Sequence, residues 1–77
     1  GRVIEIVGPT VRIEIPGAAI GDTVSIRAKS RDGASSLRYG EVVGFSGHHC
    51  TLAPLSPLTG VRPGAEAKLI QRRDEIS

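Results

Sequence analysis

Apolar and polar residues alternate strictly in "TVRIEIP", which places Val11, Ile13 and Ile15 on one face of an extended segment and Arg12 and Glu14 on the other. That is the pattern of a half-buried strand. The preceding "RVIEIV" is rich in β-branched residues and is stopped by Gly8 and Pro9. The chain there makes either a tight hairpin or a kinked strand. After the punctuation of "PGAAIGD", the segment "TVSIRA" alternates again, with Val24 and Ile26 inward. An "RDG" turn leads to "GEVVGF", then "HHCTLA", then a loop carrying Pro54, Pro57, Gly60 and Pro63, and finally "AEAKLI". About six short strands and no long helix result. Six short strands in one small chain favour a barrel or sandwich, and closure removes exposed edges. The fold class expected is all-β, a small closed six-stranded β-barrel.

Length supports one core: 77 residues build a single domain. With 39% apolar and 23% charged residues, the composition is that of a soluble globular protein. No apolar run approaches the roughly 20 residues of a membrane span. One cysteine cannot form an internal disulfide, so a reducing, cytoplasmic setting is the default. The net charge of +2 is spread along the chain among acids. The one local excess, Arg27, Lys29, Arg31 and Arg38 against Asp32, flanks "SRDGASS" and reads as solubilising charge or a contact patch. The tail "QRRDEIS" lacks an apolar stripe, and residues 72–77 are read as the start of a linker after a barrel of residues 1–71.

The stretch "GHHCT" is the natural place to look for chemistry. Strand geometry sends His49 and Cys50 to opposite faces, and His48 with Cys50 supplies fewer than the three or four ligands a zinc site needs. Cys50 and Leu52 are therefore expected in the core, with His49 and Thr51 outward. No GxxxxGK(S/T) phosphate loop and no GxGxxG fingerprint occurs. Glu5, Glu14, Glu41 and Glu66 lie in separate segments and make no acid/base pair. No catalytic, cofactor-binding or metal residue is assigned. An oligonucleotide-binding barrel is the main rival class, but it needs several stacking rings. Only Tyr39 and Phe45 are aromatic, and Phe45 is expected in the core.

The opening "GRVIEIVGPTVRIEIPG" resembles the first strands of the amino-terminal β-barrel of rotary-type ATPases, where a G-x-V-x-x-V-G-P-x-V-x-V-x-x-P-like run is common. The blocks "EVVGF" at Glu41–Phe45, "LAPL" at Leu52–Leu55 and "GVRPG" at Gly60–Gly64 resemble the flagellar and type III secretion branch. "PGAAIGD" is similar to the injectisome members, which favours virulence-type or symbiosis-type secretion over flagellar export. The resemblance covers almost the whole chain apart from its last residues. It implies a three-part parent ATPase, a homohexamer at the cytoplasmic face of the inner membrane, whose central domain binds ATP and Mg. It also implies that the barrels form a crown near stator and export-gate proteins, reaching the membrane only through those partners and binding no nucleic acid. The family's phosphate loop, catalytic glutamate and arginine finger lie downstream of the barrel, so no position here inherits them.

The residues expected to matter are therefore interfacial. Ring assembly by a rotationally related copy needs two complementary patches. Leu55, Leu58 and Val61 in the proline-stiffened "LSPLTGVRPG" loop, with Arg62, are candidates for one. The leucines alternatively cap the barrel end. Arg12, Glu14 and Arg27 on charged strand faces are candidates for the other, and the "KSRDGASS" turn with Arg38 is a further candidate.

Overall fold

A computed structural model describes residues 1–30 and 32–72. Six strands follow one another: β1 (Arg2–Val7), β2 (Thr10–Glu14), β3 (Thr23–Lys29), β4 (Ser35–Ser46), β5 (His49–Pro54) and β6 (Ala67–Gln71). They form one antiparallel sheet in the order β1-β2-β5-β4-β3-β6. No helix among the described residues is long and apolar enough to cross a membrane.

The Gly8–Pro9 break is a hairpin, with Val7 paired to Thr10. Gly8 has φ 58°, and proline fixes the next φ negative, which matches the reversed two-residue turn that right-twisted strands favour. The Thr10 hydroxyl donates to the Val7 carbonyl at 2.8 Å and locks it. Gly47, with φ 63°, and His48 make the equivalent turn between β4 and β5.

β4 is the corner of the molecule. Its first half pairs with β3, from Ser35 to Glu41, and its second half pairs with β5, from Gly40 to Ser46. At the overlap, Gly40 lies against Leu52, whose side chain would be 3.2 Å from a Cβ added there. A bulge between Val42 and Gly44 then turns the strand. Along "SSLRYG" the inward positions carry no run of apolar residues to mark a strand, and Leu37 and Tyr39 are exposed.

The core is aliphatic. Val11, Ile13, Val24, Ile26 and Val42 are all fully buried, with Leu52, Val3 and Cys50 at 1–2% exposure. The alternation read in β2, β3 and β5 is the alternation observed. Phe45 corrects the expectation made for it: the ring is 52% exposed. Phe45 pairs with Cys50 and so stands on the core side of the sheet, but two residues before the β4–β5 turn, at the rim, where it stays exposed.

The expected closed barrel is also corrected, to an open half-barrel. β1 and β6 meet only at one corner, through the Arg2–Glu66 bridge and main-chain hydrogen bonds from Val3 to Ala65, Gly64 to Val3 and Ala67 to Gly1. A bulge between Val3 and Glu5 then directs β1 away, and Glu5 to Val7 continue as an exposed edge paired with β2, which is itself backed by β5 at Val11 and Arg12. Beyond Ala67, β6 has β3 as its only ladder partner among the described residues. β6 ends at Gln71. Of the expected linker at 72–77, residues 73–77 lie outside the described residues.

Glycine is required most clearly at Gly60. Its φ is 87°, and an added Cβ would lie 2.8 Å from the Lys29 carbonyl oxygen. Gly33 has the same φ and nothing within 4 Å of an added Cβ. Gly33→Ala is expected to cost only the left-handed backbone term, about 1–2 kcal/mol. Gly60→Ala is expected to cost at least about 1 kcal/mol more, because main chain must move to admit the methyl. Thermal melts of the two variants check this, at about 4–8 °C for each kcal/mol in a domain of this size.

Candidate functional site

"HHC" is a turn running into a strand. His48 is exposed in the β4–β5 turn and faces a shallow cleft of about 350 Å³ with Glu14 and Ile15. His49 is half-buried, and Cys50 faces the core. Burial pushes the Cys50 thiol above its ordinary range, the reverse of what activates a nucleophile. Among the described residues no three His, Cys, Asp or Glu side chains gather as for a metal ion.

The loop from Pro54 to Ala67 builds the two surfaces that remain. Val61 N–H donates to Leu58 O at 3.1 Å, and Ala65 N–H donates to Arg62 O at 3.1 Å. Gly60 and Gly64 occupy the third position of these turns with φ 87° and 91°. Pro63 precedes Gly64, so "RPGA" carries the proline and glycine that a type II turn demands. Two consecutive tight turns make a stiff arch.

Its first side is apolar. Ile6, Pro9, Pro54, Leu55, Pro57 and Leu58 line a groove of about 480 Å³ between the β1–β2 hairpin and the start of the loop. Leu55 is 56% exposed, whereas Leu58 is partly buried and packs on the core. Val61 is 6% exposed and belongs to the core, so it supports the loop from within. Leu55 N–H donates to Tyr39 O, and Tyr39 N–H donates to the Ser56 hydroxyl at 3.0 Å, which holds the groove wall against β4.

The second side is basic. Lys29 N–H reaches Gly60 O at 3.3 Å and Arg27 N–H reaches Glu66 O at 2.9 Å, so the arch leaves and rejoins the edge of β3. Between these two attachments opens a cleft of about 320 Å³ lined by Arg27, Lys29, Arg62 and Glu66. Arg27 and Arg62, expected on opposite patches, stand together here. Arg27 Nε lies 3.4 Å from Glu66. Arg12 and Glu14 are elsewhere, each ion-paired across the hairpin: Arg12 to Glu5 at 2.8 Å and Glu14 to Arg2 at 3.9 Å. Exposed pairs of this kind contribute little to stability.

Arg38 does not join the cleft lining; its Nε donates to Thr59 O at 3.2 Å and anchors the loop. In the "RDG" turn the Ser30 hydroxyl and the Ala34 N–H both donate to Asp32, which holds its carboxyl below the usual range. Arg31 lies outside the described residues. Sequence reasoning missed Ile6 and Pro9 as groove walls and Asp22, a buried carboxylate that accepts from Ala19 N–H at 2.8 Å and closes the β2–β3 loop. The signal for Asp22 was an aspartate at the end of a glycine-rich turn, directly before a strand.

The model of the beta-barrel domain of the ATP synthase alpha/beta family matches residues 3–69. The chain belongs to that family. The family's β-barrel domain is its non-catalytic part. An uncharacterized 12.2 kDa protein in the lcrE 5' region of Yersinia enterocolitica is 33% identical over 66 residues, 86% of this chain and 57% of that protein. The chain thus spans little more than half the length of that relative.

Native Cys50 is expected to react with thiol reagents more than about tenfold more slowly than in the unfolded chain, because labelling waits on opening. Its raised folded-state pKa also fixes a pH dependence. The contribution is fully present below the unfolded thiol pKa and is lost as pH rises through the folded one. Urea midpoints should fall above the ordinary thiol range in the native protein, and less so in Cys50→Ala.

Proposed function

We propose that this barrel is the non-catalytic amino-terminal domain of a type III protein secretion ATPase, where it supports a homohexameric ring and meets export-apparatus partners. The observation that carries the reading is the family match over residues 3–69. The blocks "EVVGF", "LAPL" and "GVRPG" and the Yersinia relative favour the secretion branch, the relative only slightly. In this reading ATP and Mg bind the central domain of the parent protein, at the cytoplasmic face of the inner membrane, and stator and export-gate proteins are neighbours. The flagellar export ATPase is the nearest alternative within the same scheme. An oligonucleotide-binding barrel is disfavoured by the two rings: Tyr39 and Phe45 sit six positions apart on β4 with a bulge between them, and form no stacking row.

The apolar groove at Ile6, Pro9 and Leu55 is the ring patch in this scheme. Specific stable interfaces bury at least about 1,000 Å² in total, more than one groove of an 8.1 kDa barrel supplies. Attachment to a neighbouring ATPase domain makes the contact effectively intramolecular, and a poor intrinsic affinity then suffices.

The reading requires a GxxxxGK(S/T) phosphate loop in the same polypeptide beyond Ser77; a full coding sequence without one overturns it. It also predicts that the 77-residue chain is monomeric in sedimentation. In the whole protein, Leu55→Ser is expected to shift the monomer–hexamer balance toward monomer by about tenfold, and deletion of the barrel by more. A hexamer equally stable without the barrel rejects the ring role.

A further inference from the structure

The basic cleft between β3 and the 60–66 arch has no part in the ring patch, and we propose that it binds an extended acidic segment of a partner protein, with carboxylates at alternate positions. This goes beyond the ATPase reading and does not depend on it.

Three cations face one acid there. Glu66 pairs with Arg27, whereas neither Lys29 nor Arg62 has an ion pair among the described residues, and both are exposed. The cleft therefore presents two uncompensated positive charges. Arg27 and Lys29 stand on the same face of β3, two residues or about 6.6 Å apart. A peptide in extended conformation repeats its own same-side side chains at that interval, so an acid at one position meets Lys29 in register while its i+2 neighbour reaches Arg27 in competition with Glu66. Arg62 rises from the opposite wall on the proline-stiffened turn, where a guanidinium fork matches a carboxylate. The arch is held at both ends by main-chain bonds to β3, so little ordering cost remains on binding.

The same atoms disfavour a phosphate or a nucleic acid. Gly64 N–H is committed to Val3 O and Ala65 N–H to Arg62 O, so those two cannot join the nest of free amides that cradles phosphates. No aromatic ring lines the cleft to stack a base. What remains is side-chain recognition of carboxylates by charge complementarity.

The test is fluorescence anisotropy of the 77-residue chain with a labelled peptide carrying glutamate at alternate positions. A glutamine counterpart, inorganic phosphate and a single-stranded oligonucleotide serve as the other arms. The glutamate peptide is expected to bind at low salt, to weaken as salt rises, and to exceed the glutamine peptide by about tenfold or more. Lys29→Gln with Arg62→Gln should lose about tenfold in affinity with an unchanged melting temperature. Arg2→Gln with Arg72→Gln removes the same charge elsewhere and should lose less than about twofold. No binding of the glutamate peptide, an equal loss in the two double variants, or displacement by phosphate or oligonucleotide at lower concentration than free glutamate peptide overturns the proposal. None of these outcomes touches the ATPase reading, which stands or falls on the phosphate loop and the hexamer.

Discussion

The corner where Gly1–Val3 meets Gly64–Ala67 holds the two ends of the sheet together. Val3 and Ala67 each give their N–H across it at 2.8 Å, and Gly64 returns one to Val3 O at the same distance. Gly1 N adds a further bond to Ala67 O at 3.0 Å. These bonds join residues more than 60 positions apart, as the Gly1–Ala67 pair at separation 66 illustrates, so they close the longest loop among the described residues. Loop-closure entropy grows slowly with length, and a few well-made bonds at the end of a nearly folded sheet can therefore hold it. Without them β1 and β6 would both be free edges, and Val3 and Ala67, now at 1% and 0% exposure, would face water.

The rest of the architecture follows from filling the interior with small aliphatic side chains. Ile13, Ile26 and Leu52 are the largest fully buried groups, and no aromatic ring is among them. A core of that size leaves little room between the sheet halves, so β4 must turn sharply over it. Gly40, which admits Leu52, and the bulge at Val43 accomplish that turn.

Much of this was legible from the residues because period-two alternation has a direct physical cause. "TVRIEIP" and "TVSIRA" show it, and their apolar members are the buried ones. Gly8–Pro9 was legible as a break, though only pairing separated hairpin from kink. β4 was not legible in full length, since Leu37 and Tyr39 are exposed and the inward positions there hold Ser36, Arg38 and Gly40. The bulge between Val3 and Glu5 leaves no sequence signal, so the open seam was out of reach. Of the candidate site, Arg62 and the leucines were legible as a stiff loop and Arg27 as a strand cation. Their separation into an apolar groove and a basic cleft was not, because it depends on where the arch lands on β3.

That landing links the surfaces to the corner. Gly64 bonds Val3, Gly60 accepts from Lys29, and Glu66 accepts from Arg27, all through main chain. The arch is consequently fixed to β1 and to β3 at once, and Arg62 rides on it between them. Side chains that recognise a partner are often carried by loops on a rigid scaffold, but this loop is itself the scaffold's tie. Any partner that grips Arg62 and Lys29 therefore also bears on the bonds that keep β1 and β6 together. By linkage, a ligand that binds only the joined corner must stabilise it by the free energy of that binding. The basic cleft and the integrity of the half-barrel are thereby two readings of the same local equilibrium.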